Sequence, residues 1–119
     1  MAKLLVVDDD AAIADSLRAL LESKGYEALS ASDGQAAADL AAREMPDVVL
    51  LDLMLPKLPG LEVCRRLKAD PRTKGIKIIL MTGMGWTAET ETASGPDDWV
   101  VKPFSTESLL EKIEKALAS

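Results

Sequence analysis

Five short aliphatic runs, each separated from the next by enough chain for a helix, constrain what this sequence of 119 residues can fold into more than any other feature. The first, Lys3-Leu4-Leu5-Val6-Val7, is aliphatic or β-branched at consecutive positions and stops at Asp8-Asp9-Asp10. A strand with one wet face alternates apolar and polar residues, so a continuous run of this kind suits a strand covered on both faces. Residues 26–31, 48–51, 76–81 and 99–101 are similar runs, bounded by Gly, Pro, Asp or Ser.

The intervening segments carry helical periodicity. Ile13, Leu17, Leu20 and Leu21 recur at helical spacing, with Asp10 placed to cap the start and Gly25 to close the end in a left-handed conformation. Residues 35–44 are alanine-rich, with Ala37, Leu40 and Ala41 on one face, and Pro46 stops them. Leu61, Cys64 and Leu67 mark a third stripe between Gly60 and Asp70-Pro71. The last helix has Ser105 as N-cap and Leu109, Leu110, Ile113 and Leu117 on its buried face. Strands alternating with such helices predict right-handed crossovers and a parallel α/β sheet covered on both sides. One stretch departs from the pattern. Residues 83–96 hold Thr87, Thr90, Thr92, Ser94 and almost no aliphatic residue, and each Thr or Ser costs roughly 0.5 kcal/mol of helix propensity relative to Ala. We expect this to be the least stable stretch of the chain, mobile between residues 86 and 95.

Composition narrows the function. With 48% apolar and 29% charged residues the chain can bury a core, and its length leaves no room for a second folded unit of ordinary size, so residues 1–119 are read as one domain. A net charge of −6 argues against a broad footprint on nucleic acid or anionic lipid. No apolar run approaches the roughly 20 residues of a membrane span, and Met1-Ala2-Lys3 leads straight into a strand rather than a signal peptide. The expected location is the cytoplasm. The one cysteine, Cys64, excludes an internal disulfide and shares a helical face with Leu61 and Leu67, so it is read as a small buried hydrophobe. There is no histidine, so a bound metal must be held by oxygen, which suits Mg²⁺ better than zinc.

Ligands of an open parallel sheet bind beyond the carboxyl ends of its strands. The polar residues there are Asp8, Asp9 and Asp10 after the first run, Asp52 after the third, Thr82 after the fourth and Lys102 after the fifth. In parallel register they converge on one rim. Carboxylates about 5 Å apart repel by roughly 3 kcal/mol per pair at an effective dielectric near 20, far more than a scattered surface ion pair is worth. A divalent cation offsets that repulsion, and Mg²⁺ is usually held by one or two carboxylates together with a phosphate. An acidic triplet after a strand is, taken alone, more often a helix cap with solvated charges. Asp52 and Lys102 reverse that reading.

The motifs Leu4-Leu5-Val6-Val7-Asp8-Asp9-Asp10, Leu51-Asp52-Leu53-Met54-Leu55-Pro56 with Gly60 beyond, Met81-Thr82-Gly83, and Asp97-Asp98-Trp99-Val100-Val101-Lys102-Pro103-Phe104 resemble the receiver domain of two-component response regulators over essentially the whole chain. The resemblance implies a flavodoxin-like, doubly wound five-stranded sheet of order 2-1-3-4-5 with five helices, the fourth of them weak. It implies that Asp52 is the phosphoacceptor, attacking a phosphohistidine or an acyl phosphate in line. Asp9 and Asp52 would bind Mg²⁺ directly, Asp8 mainly through water, and the backbone carbonyl of Met54 would complete the protein's share. Lys102 would pair with phosphoryl oxygens, Thr82 would turn onto the aspartyl phosphate, and Trp99 would be an aromatic switch. The Lys102-Pro103 bond is commonly cis in such domains. The implied partners are a histidine kinase or phosphotransfer protein and an unidentified downstream protein, with no direct contact to nucleic acid and no membrane insertion.

Three departures qualify the likeness. Met54 and Met84 stand two residues beyond Asp52 and Thr82, where many relatives carry polar groups that position the hydrolytic water. The stretch from Thr82 to Lys102 is about two residues short, and Pro59 replaces an acidic residue before Gly60. No output domain follows the last helix, so the favoured reading is a stand-alone, phosphorylation-controlled binding module whose surface is formed by the fourth helix, fifth strand and fifth helix, or a phosphorelay intermediate. A phosphorylation-independent adaptor with the same fold is the runner-up. An FMN-binding electron carrier is disfavoured because Asp8, Asp9 and Asp10 would repel the cofactor's phosphate.

Overall fold

In the computed structural model, which describes residues 2–83 and 96–118, the five runs form one parallel sheet. Its strands are β1 (Lys3–Val7), β2 (Glu27–Ala31), β3 (Val48–Asp52), β4 (Lys77–Thr82) and β5 (Asp98–Val101), in the order β2-β1-β3-β4-β5. Four helices are present among the described residues: α1 (Ala11–Ser23), α2 (Gly34–Glu44), α3 (Gly60–Ala69) and α4 (Thr106–Ala118). The helix expected between β4 and β5, its expected mobility, and Met84 all fall on residues 84–95, outside the described residues.

Side-chain alternation divides the core into two layers. Leu4, Val6, Leu50, Ile79, Met81 and Val100 point to one face and pack with Ala14, Leu17 and Leu21 of α1 and Leu109 and Ile113 of α4. Leu5, Val7, Val49, Leu51, Ile78 and Leu80 point to the other, against Ala37 and Ala41 of α2 and Val63, Cys64 and Leu67 of α3. Every residue of central β3 is buried, which explains its uninterrupted aliphatic run, whereas edge strand β2 is covered only in part. Fully burying one Leu or Ile contributes about 1.5–3 kcal/mol, so these two layers dominate the stability of the sheet.

The helix ends follow the local chemistry. The Asp10 carboxylate accepts hydrogen bonds from the N–H groups of Ala12 at 3.0 Å and Ile13 at 3.4 Å, and Gly25 takes φ +91° just beyond α1. The Ser108 N–H donates to Ser105 Oγ at 3.0 Å ahead of α4. Helix α2 starts one residue before its expected first residue because Asp33 caps it, accepting from Ala36 N–H at 2.8 Å.

The strand order contains a reversal that matters for function. From β1 the chain crosses to β2 on one side and then returns to β3 on the other, so the loops leaving β1 and β3 diverge and open a crevice between them. Register places Val7 beside Leu51, which brings Asp8 and Asp52 out on neighbouring strand ends. Asp52 pairs with Met81, Thr82 with Val101, and Lys102 follows directly.

Met45 ends α2 at φ 49°, a left-handed conformation that costs a residue with Cβ roughly 1–2 kcal/mol. Its side chain is 47% exposed, so little packing is lost on its removal. Met45→Gly should therefore stabilise the fold by about 0.5–1 kcal/mol after the greater flexibility of unfolded Gly is counted, measured as a higher urea midpoint with an unchanged m-value.

Candidate functional site

The crevice at the β1 and β3 ends holds the acidic residues. Asp8 is 2% exposed and Asp52 7%, while Asp9 stands in solvent at the rim. One carboxylate oxygen from each of Asp8, Asp9 and Asp52 lies within 4.8 Å of the others, a spacing that one small cation can bridge. Asp10 does not join them. Its carboxylate is turned back onto the first turn of α1, where the unpaired amide N–H groups hold it. The triplet therefore divides into two residues facing the crevice and one helix cap.

Lys102 faces this cluster from the end of β5. Its ammonium lies 3.0 Å from Asp8 Oδ2 and 3.5 Å from Asp52 Oδ2, bridging residues 94 and 50 positions away in the chain. The Lys102 N–H donates to the Thr82 carbonyl at 2.7 Å, and the Lys102-Pro103 peptide is cis. Backbone donors hold the acids as well: Asp10 N–H donates to Asp8 Oδ1 at 2.9 Å and Met54 N–H to Asp52 Oδ1 at 3.1 Å.

These contacts set the charge state. Burial pushes the Asp52 carboxyl above its ordinary 3.8; the Met54 N–H and the Lys102 charge oppose that rise, and the Asp8 charge adds to it. Burial works against the Lys102 ammonium too, but its hydrogen bond to Asp8 and the charges of Asp52 and Asp8 outweigh burial and lift it above 10.5. Lys102 is thus a cation at neutral pH, facing an Asp52 carboxyl that its burial makes more basic. Cys64 takes no part. It is 1% exposed, and burial pushes its thiol up to about 11.

The remaining candidates occupy the same half of the molecule. Thr82 is 1% exposed at the end of β4, paired with Val101, and its carbonyl accepts the Lys102 N–H. Trp99 is 37% exposed on β5, with the Lys112 ammonium 5.5 Å from its ring centroid. Met54 is 70% exposed on the loop that leaves β3. That loop also meets α2. Gly34 N–H donates to the Pro56 carbonyl at 3.4 Å, and Lys57 Nζ lies 3.6 Å from Asp33. Sequence reading did not identify this contact. The only signal was the pair Asp33-Gly34, readable as a helix start but silent about what packs against it.

Residues 4–114 match the family model of the response regulator receiver domain. The chain belongs to that family. As a receiver domain it is 40% identical over 119 residues to the DNA-binding dual master transcriptional regulator RpaA of Synechocystis, covering 98% of this chain and 49% of RpaA. The chain spans about half the length of the curated relatives it matches. The chemotaxis protein CheY4 of Vibrio cholerae superposes with a TM-score of 0.91 at 31% identity, covering 98% of this chain and 99% of that one. The receiver domain of sensor histidine kinase PA1611 from Pseudomonas aeruginosa superposes with a TM-score of 0.91 at 27% identity over 99% of this chain and 98% of that one, and its structure has a magnesium ion coordinated in the active-site cleft. The flavodoxin-like fold and strand order expected from the sequence are those observed. Among the described residues no helix is long and apolar enough to cross a membrane.

The donor set of this receiver domain fits magnesium: oxygen only, two or three carboxylates, and a cluster open to water on its Asp9 side. A pH dependence follows. Because the native carboxyl of Asp52 is raised, the folded state holds that proton more readily than the unfolded chain. Stability is therefore lost as pH rises from 3.8 through the native value, and the penalty is complete above it. With magnesium withheld, Asp52→Asn should be more stable than wild type at pH 7, because burial is the main cost of the Asp52 charge, with the gain shrinking in acid. Thermal unfolding between pH 3 and pH 8 measures this; equal or lower stability of the variant at pH 7 refutes it.

Proposed function

We propose that this receiver domain accepts a phosphoryl group on Asp52 and uses the added charge to change a protein-binding surface. The observation that carries the proposal is the convergence of Asp8, Asp9 and Asp52 on one crevice with Lys102 facing them. Asp52 lies at the topological switch point, reachable from solvent along the Asp9 side, and its carboxylate oxygen is the nucleophile. That oxygen forms a bond to phosphorus while the bond from phosphorus to the donor breaks, releasing histidine from a phosphohistidine or acetate from acetyl phosphate. Asp9 and Asp52, with the Met54 carbonyl, would hold magnesium, and Asp8 would act on it through water. The chemistry such an ion supplies when bound is neutralisation of charge on the phosphoryl oxygens.

Lys102 is positioned to move its ammonium from the carboxylates to a phosphoryl oxygen, a charge-assisted contact available only once the group has arrived. Thr82, buried beside it, is the hydroxyl nearest in the ladder for an aspartyl phosphate, and Trp99 lies on the same strand as Lys102's predecessor Val101. Phosphorylation at Asp52 thereby biases the β5 and α4 side of the molecule, the surface offered to an unidentified downstream protein. The donor is a histidine kinase or a phosphotransfer protein. A net charge of −6 supports action through protein partners rather than direct contact with nucleic acid.

Incubation with acetyl phosphate and Mg²⁺ should yield a phosphorylated species by intact mass; Asp52→Ala or excess chelator should abolish it, and Lys102→Met should reduce it by at least 10-fold (about 1.4 kcal/mol). No phosphoryl adduct on wild type would leave the adaptor role in its place. Met54, whose N–H bonds Asp52, further predicts slow release of phosphate, because its side chain offers an attacking water no strong hydrogen-bond partner. Met54→Asn should shorten the half-life of the phosphorylated form severalfold, and an unchanged half-life counts against this role.

A further inference from the structure

We infer that Gly34, at the start of α2, is a positioning residue for the loop of residues 53–59 that carries Met54. The inference rests on the reading of Asp52 as acceptor, and it concerns how the loop beside that residue is held.

A side chain at Gly34 has nowhere to go. A Cβ built there lies 2.5 Å from Leu58 Cβ and 2.8 Å from Leu58 C, and closer still to the Leu58 carbonyl oxygen. Two of those three atoms are backbone, so no rotamer change relieves the overlap. Either α2 or the loop must move, and packing decides which. Helix α2 is anchored by Ala37 and Ala41, 1% and 0% exposed in the core layer, and its cap is tied to Asp33. The loop is held more loosely: Leu55 and Leu58 are only partly buried against that layer, and its middle is tied to α2 by the long Gly34 N–H bond to the Pro56 carbonyl and the exposed Lys57–Asp33 pair. Leu53 N–H donates to the Met81 carbonyl at 3.0 Å and Gly60 N–H to the Leu53 carbonyl at 3.1 Å. Between them Met54, Pro56 and Lys57 are exposed.

The loop therefore yields, and its displacement reaches the acceptor. The Met54 N–H bond to Asp52 Oδ1 and the Met54 carbonyl both belong to the stretch that shifts. The clamp also holds a strained turn. Lys57 has φ +66°, unfavourable for a residue with Cβ, and its ammonium reaches Asp33 one residue before Gly34. On the far side Gly60 is crowded too, though less so, since a Cβ there would lie 2.9 Å from Leu53 Cα and closer to the Asp52 carbonyl oxygen. Two glycines thus let the starts of two helices close on one loop.

The test compares Gly34→Ala with Gly75→Ala, where nothing lies within 4 Å, and with Ala42→Gly, which weakens α2 without touching the loop. Amide chemical shifts are recorded for each variant of the 119-residue chain, and Mg²⁺ affinity is titrated at a temperature where all are folded. Gly34→Ala should shift the amides of residues 53–59 and weaken Mg²⁺ about tenfold, the usual scale for losing a group that orients a metal ligand. Gly75→Ala and Ala42→Gly should bind Mg²⁺ like wild type, even where Ala42→Gly unfolds at lower temperature. Wild-type Mg²⁺ affinity and unshifted loop amides in Gly34→Ala overturn the inference. Should Gly34→Ala fail to fold, Leu58→Gly loosens the same contact from the loop side without overlap, and it should weaken Mg²⁺ in the same sense; unchanged affinity there overturns the inference equally. If wild type itself binds no Mg²⁺, the acceptor reading fails, while the loop amides of Gly34→Ala still decide the clamp.

Discussion

Two buried carboxylates held side by side define the chemistry of this domain. Asp8 and Asp52 leave the ends of neighbouring strands in register, each almost wholly removed from water, with Asp9 at the rim beside them. Alone, such a pair repels by several kcal/mol at the dielectric of a protein interior. Lys102 supplies compensation by bridging both, and backbone N–H groups of Asp10 and Met54 take up a further oxygen on each. A site assembled this way is electrostatically incomplete: one ammonium balances three acids. Such a set of oxygens suits a cation.

The architecture serves that arrangement. A parallel sheet covered on both faces places all five strand ends at one rim, and the reversal between β1 and β3 opens the only kind of crevice such a sheet offers. The two apolar layers supply the rigidity that keeps the acids close, since β1, β3 and β4 are buried almost end to end. Asp52 and Thr82 close their strands, and Asp8 and Lys102 follow directly on theirs. The same strands carry the site towards the surface: Thr82 pairs with Val101, Lys102 follows, and Trp99 stands exposed under the Lys112 ammonium. Asp52 stands two ladders from β5, through its own pairing with Met81 and that of Thr82 with Val101.

Legibility differed from feature to feature, for physical reasons. The strands and helices could be read because each is encoded in its own residues: uninterrupted Leu and Val for a doubly covered strand, Ile13, Leu17 and Leu21 for a helix face, Asp10 and Ser105 for caps. Boundaries moved by one residue where a cap or a last ladder bond extended an element, as at Asp33 before α2 and Thr82 in β4. Asp8, Asp9, Asp52, Thr82 and Lys102 could be named as rim residues because each follows an apolar run. Asp10 was separable from Asp8 and Asp9 as the helix cap, because it stands directly before the first helical residue, where a carboxylate meets unpaired N–H groups.

The amino-acid sequence by itself determined the alternation of strands and helices, the oxygen-only character of any metal site, and the exclusion of disulfide and histidine chemistry. All of these depend on composition or on neighbours a few positions apart. Only the tertiary structure decided which acids face one another, that Lys102 spans Asp8 and Asp52, and that Gly34 closes on Leu58. Those facts are distances between residues tens of positions apart, set by sheet register and by how closely two backbones approach, and no local pattern in the chain records them.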